Sequence, residues 1–177
     1  MELEVINWFT APTNIVIAGA AIVALILSTY QYFQGRRMLR LQSMLQLFNQ
    51  YIFDLHNDRS QVNLNRNMII QESEKKGATF SNIVEPLRSY VIRLSHFYDM
   101  TGSLLYHGYV DEKLVIAFLG KAALDYYKVI RPLIKNERTE RSDDLYQNYF
   151  EDFATRCREK KSWEKVKFAR FDDVLSV

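Results

Sequence analysis

The chain has 177 residues, a net charge of +2 and a single cysteine, enough for one ordinary domain or a smaller domain with an appendage. Aromatic residues make up 14% of it, with 11 Tyr and 11 Phe, whereas Gly (6) and Pro (3) are scarce; that balance argues against disorder and against a many-turn β fold, and predicts long helices. The lone Cys157 excludes an internal disulfide and any cysteine-based metal cluster, and it suits a reducing compartment.

Glu4 is followed by a long uncharged stretch, from Val5 to Gly35. As a helix, residues 13–33 would extend about 31 Å at about 1.5 Å per residue, enough for the hydrocarbon layer of a bilayer. Ile15, Val16, Ile17, Ile22, Val23, Leu25, Ile26 and Leu27, at about −0.3 to −0.6 kcal/mol each, favour insertion by roughly 2.5–5 kcal/mol with no charge opposing them. Trp8 and Phe9 precede the stretch, and Tyr30, Tyr32 and Phe33 close it, where interfacial aromatic belts form. Pro12 with Thr13 or Asn14 supplies helix-start chemistry. The competing readings are a cleaved secretion signal, which would want a basic start and a small-residue cleavage site, and a helix packed inside a soluble domain, against which the length of the stretch and its apolar residues on all faces count. Arg36, Arg37 and Arg40 follow the stretch and place its C-terminal side in the cytosol by the positive-inside rule.

Two patterns lie on this helix. Ala20, Ala24, Ser28, Gln31 and Gly35 make a small and polar stripe at helical spacing, suited to close helix contact or to lining a polar path; chance spacing on a lipid-facing side is the alternative. Met38, Leu41, Leu45, Phe48, Ile52 and Leu55 recur at alternating spacings of three and four, a coiled-coil-like seam that predicts self-association. The helix is expected to run from about residue 13 to about 56 as one rod, or as one hinged at Gly35.

Downstream, "NDRSQVNLNRN" reads as a polar turn, and a short helix around Met68, Ile69 and Ile70 is expected to end before Gly77. A helix opening at Ser81, with Pro86 in its first turns, carries Leu87, Val91, Leu94, Phe97, Tyr98, Leu104 and Leu105 and stops at Gly108. Asp111 opens another, with Leu114, Val115, Phe118 and Leu119, continuing to a stop or kink at Pro132. A last helix over about residues 143–160 shows Leu145, Tyr149, Phe150, Phe153 and Cys157. The expected organisation is all-α: an N-terminal tail and transmembrane helix (1–35), a juxtamembrane helix (36–58), and a small cytosolic helical bundle with a basic C-terminal segment (59–177).

Chemistry is sparse. Three histidines, His56, His96 and His107, stand without a CxxC or HExxH pattern, so neither metal nor cofactor is expected. Arg88, Arg93, His96 and Asp99 recur near helical spacing; Arg93 and His96 together would be the candidates for stabilising phosphate charge and moving a proton in RNA cleavage, against the alternative of an intrahelical ion pair. Two basic zones, Arg36, Arg37 and Arg40, then Lys160, Lys161, Lys165, Lys167 and Arg170 interleaved with Trp163, Phe168 and Phe171, suit RNA, anionic lipid or an acidic partner. A solvated, packed C-terminal segment is the other reading.

Residues 88–158, with "HFYDMTGSLLYHGYVDEKLVIAFLGKAALDYYKVIRPLI" at their centre, resemble the cytosolic domain of a family of small single-span prokaryotic proteins. In its length, N-terminal span and basic helical cytosolic part, the whole chain is similar to the small membrane accessory proteins of type VI-B CRISPR systems. That resemblance implies a homo-oligomeric pore in the bacterial inner membrane that works with an RNA-guided RNA nuclease and depolarises the cell once phage RNA is sensed. It also implies a divergent HEPN ribonuclease motif, Arg followed by four to six residues and His. Here Arg88 and His96 are separated by seven residues and Arg93 and His96 by two, so no pair has that spacing. A membrane-tethered ribonuclease and a membrane-anchored adaptor are the competing functions.

Overall fold

The computed structural model describes residues 3–160, all in helices and the turns between them, and divides into two compact units, Met1–Leu41 and Gln42–Val177. The elements are α1 (Leu3–Asn49), a π-helical turn (Gln50–Asp54), α2 (His56–Leu64), α3 (Arg66–Ser73), a 3-10 turn (Phe80–Asn82), α4 (Leu87–Tyr106), α5 (Glu112–Arg141) and α6 (Asn148–Lys160). The all-α expectation and the long apolar N-terminal helix both hold. The unit boundary falls inside the segment read as juxtamembrane.

The second unit is built around α4. Its apolar residues recur at three and four, so one face carries Leu87, Val91, Leu94, Phe97, Tyr98 and Leu105 into the core, as an amphipathic helix requires. Helices α6 and α2 pack on α4, and α5 packs on α3 and α6. Tyr98 sits at the centre, stacked on Phe150 at 5.1 Å between ring centroids and flanked by Phe97 and Tyr126; offset aromatic contacts of this kind add to the burial of the rings themselves. The Tyr126 hydroxyl is satisfied by the Val91 carbonyl at 2.7 Å.

One contact fixes how near α6 can come. At Gly102 an added Cβ would lie 2.6 Å from the carbonyl carbon of Tyr149 and nearer still to its oxygen, so only glycine admits the α6 backbone there. Asp99, three residues before it on α4, accepts from the Phe150 amide at 2.9 Å and caps the N-terminus of α6 from another helix. Burial raises the Asp99 carboxyl, and the Phe150 amide offsets part of that.

Several boundaries differ from those expected. Helix α1 begins at Leu3, ahead of Pro12. The stretch read as a turn is α2: Leu55, Asp58 and Val62 face inward at spacings of three and four, and the inward position that reads as polar is a paired carboxylate. Ser81 lies in the 3-10 turn, and α4 starts after Pro86. Helix α5 passes through Pro132 to Arg141; Pro132 is exposed between buried Ile130 and Leu133, so the bond it cannot donate is missing on the exposed side of the helix. Leu114 and Phe118 are half exposed, and Leu145 is exposed in the turn before α6. Asp111 caps α5 as expected, its carboxylate accepting from the Leu114 amide at 3.0 Å, and Gly108 takes a left-handed φ of 70° after α4.

Candidate membrane segment and assembly face

In the first unit, an 18-residue window of the helix is apolar enough and long enough to cross a membrane, and none of it is buried. Ile17, Ile22, Val23, Leu25, Ile26 and Leu27 are 55–69% exposed. Two of its polar side chains bond along the helix. The Thr29 hydroxyl donates to the Leu25 carbonyl at 2.7 Å, and the Gln34 amide donates to the Tyr30 hydroxyl at 2.9 Å. Such local pairing is what a lipid environment demands of polar groups.

Ala20, Ala24, Ser28, Gln31 and Gly35 are all exposed, and a Cβ at Gly35 would meet nothing within 4 Å. The helix runs through Gly35 without interruption. Arg36, Arg37 and Arg40 are exposed too, with the Arg36 guanidinium 5.6 Å from the Tyr32 ring centroid, within reach of a cation–π contact.

The six-residue seam does not hold as one face. Met38, Leu41, Leu45 and Ile52 are exposed, whereas Leu55 is buried and Phe48 packs on Phe118 at 4.5 Å. The side of α1 that enters the core is Met44, Leu47 and Tyr51. The π-helical turn at Gln50–Asp54 takes more residues per turn than an α-helix and so shifts the register of Leu55 after it, whereas Phe48, ahead of that turn, lies at the edge of the side that packs on the core.

The polar set on α4 also separates. Arg88 pairs with Glu85 at 2.6 Å, Arg93 with buried Asp58 at 2.7 Å, Asp99 caps α6, and His96 is exposed. Arg93 therefore neutralises a carboxylate that could not otherwise be buried. In the C-terminal zone, Arg156 and Lys160 both pair with Glu112 of α5, and those two cations hold the Glu112 carboxyl below the ordinary glutamate range. Lys161, Lys165, Lys167 and Arg170, with Trp163, Phe168 and Phe171, lie outside the described residues. Cys157 is fully buried, and burial pushes its thiol up to about 12, which makes it an unreactive core residue. Among the described residues no group of His, Cys, Asp and Glu is placed to hold a metal.

Sequence reasoning missed Asp58 and Glu112. Each is an acidic residue whose partner lies dozens of positions away, and only the spacing of Asp58 between Leu55 and Val62 could have marked it.

The family model described as domain of unknown function DUF4760 matches residues 18–157. No curated protein matches, and no solved structure does.

Proposed function

The chain belongs to the DUF4760 family, and we propose that this member is a single-span membrane protein that self-associates through α1 to form a pore. The observation that carries the reading is the uncovered apolar window of α1. A Leu or Ile side chain gains about 1.5–3 kcal/mol on leaving water, and among the described residues the apolar window is uncovered. The matched region opens at residue 18, inside the apolar stretch, which supports reading the helix together with the family's domain.

One helix cannot conduct, so a pore requires several copies around an axis, each presenting the same side. The stripe from Ala20 to Gly35 is the side on which helices can approach closely. Exposed Met38, Leu41, Leu45 and Ile52 extend the contact beyond the membrane. Arg36, Arg37 and Arg40 set the bundle on the cytosolic side of the bacterial inner membrane. By its similarity to the accessory proteins of type VI-B CRISPR systems, the assembly acts in antiviral defence, and its trigger is an RNA-guided RNA nuclease that has sensed phage RNA.

The test is a membrane-potential dye in cells that carry the protein with its nuclease, target RNA present or absent. Depolarisation that needs both the protein and the target is the expected result. An unchanged potential while the protein is recovered in the membrane fraction would overturn the pore. RNA cleavage by the purified protein, abolished by His96→Ala, would replace it with the ribonuclease. Arg93 variants do not serve for that assay, since they unpair buried Asp58.

A further inference from the structure

We propose that a small cavity in the helical bundle, lined by Arg59 and Arg66, is a binding site for one oxyanion of phosphate size. The site belongs entirely to the second unit and does not depend on the membrane reading.

The cavity measures about 90 Å³ and is walled by the π-helical turn and by α2, α3, α4 and α5. Its polar lining is Arg59 and Asn63 from α2, Arg66 from α3 and Asp125 from α5, over an apolar floor that includes Leu94. The described ion pairs give Asp58 to Arg93 and Asp125 to Lys128 at 3.6 Å. Among the described residues neither Arg59 nor Arg66 has an anionic partner. Two guanidiniums thus border one space whose only carboxylate is already shared with another cation.

Arg59 is held for this task. Its guanidinium carbon lies 4.0 Å from the centroid of the Tyr51 ring, a cation–π contact that fixes the plane of the fork. Tyr51 comes from the π-helical turn, a feature that recurs at functional sites. The Nε atom of Arg59 is buried and has no hydrogen-bond partner among the described residues. A buried charged donor without an acceptor is costly, and native proteins answer such positions with an ordered water or an ion.

Size and chemistry choose between these. The space holds more than one water-sized group, room enough for a compact tetrahedral oxyanion. Guanidinium forks match the oxygen spacing of phosphate and carboxylate. A phosphoryl group meets these requirements whether it is free or the end of a lipid headgroup.

The experiment is a thermal-unfolding titration of the full-length protein in neutral detergent at constant ionic strength. One arm adds inorganic phosphate, and the other dopes the micelles with phosphatidate. Saturable stabilisation is expected, with Arg59→Gln and Arg66→Gln each raising the half-saturating concentration at least about tenfold and Lys113→Gln, outside the cavity, leaving it unchanged. Saturation by phosphatidate alone assigns the site to a headgroup; saturation by inorganic phosphate assigns it to a free anion. Because Arg66 is exposed, its variant keeps the bundle folded even if the loss of Arg59 does not. No saturation in either arm, or wild-type behaviour of Arg66→Gln, overturns the proposal.

Discussion

Gly102→Ala is the sharpest single perturbation of the bundle. The added methyl would stand 2.6 Å from the Tyr149 carbonyl carbon, where carbon atoms in contact settle near 3.5–4.0 Å, so α6 must retreat by about 1 Å. What blocks it is backbone, with no side chain able to swing aside. Overpacking costs about 1–3 kcal/mol and occasionally more, and alanine returns about 1 kcal/mol of helix propensity. The retreat also loosens Phe150, Phe153 and Cys157, all fully buried on α6, and strains the Asp99 cap at 2.9 Å. A net loss of about 2–3 kcal/mol follows from the upper end of the overpacking range together with these contacts. Cys157 reports it directly, since its thiol reacts only when α6 opens. At about 1.4 kcal/mol per decade, its labelling rate by a thiol reagent under native conditions should rise about 30- to 150-fold. Gly35→Ala, where no atom lies within 4 Å, should label at the wild-type rate. A wild-type rate for Gly102→Ala would refute the close approach of α4 and α6.

Leu45→Asp and Leu47→Ala should fail in opposite ways, because Leu45 is 63% exposed and Leu47 2%. The aspartate should shrink the detergent-solubilised particle by light scattering while Cys157 stays protected. The alanine should cost about 2–5 kcal/mol of unfolding stability and leave any assembly of folded chains intact. Glu112 makes stability depend on acid: its folded carboxyl lies below the ordinary range, so its contribution is present above the unfolded value and is lost as pH falls through the folded one. Glu112→Gln should remove that part of the acid loss, a change of at most about 1 kcal/mol because the pairs are partly exposed, read from urea midpoints measured from neutral pH downward.

Much of the fold was legible in patterns short enough to read locally. The apolar stretch, the buried face of α4, the cap at Asp111 and the stop at Gly108 each rest on residues within a few turns of one another. What escaped depends on partners far along the chain or on one turn of altered pitch. Asp58 reads as a solvent-facing residue until Arg93 is brought to it, and so α2 reads as a turn. The assembly seam assumes an unbroken α-helical pitch and a free helix, but the π-helical turn shifts Leu55 and the bundle claims Phe48. Pro132 stops or kinks a helix by its local chemistry, but it lies on the exposed side of α5 and the helix continues past it. The cavity beside Arg59 has no linear signature at all, since its lining comes from four helices and a turn.

The side of α1 that enters the core starts at Met44, and this separates two kinds of damage. Substitutions among residues 17–41 leave the bundle's packing untouched, so a cell's quality control would pass a chain that is folded but misdirected. Substitutions at Met44, Leu47 and Tyr51 weaken the bundle and would be met by proteolysis before any fault in location showed. Abundance measured beside membrane recovery, variant by variant, would trace that division along a single helix.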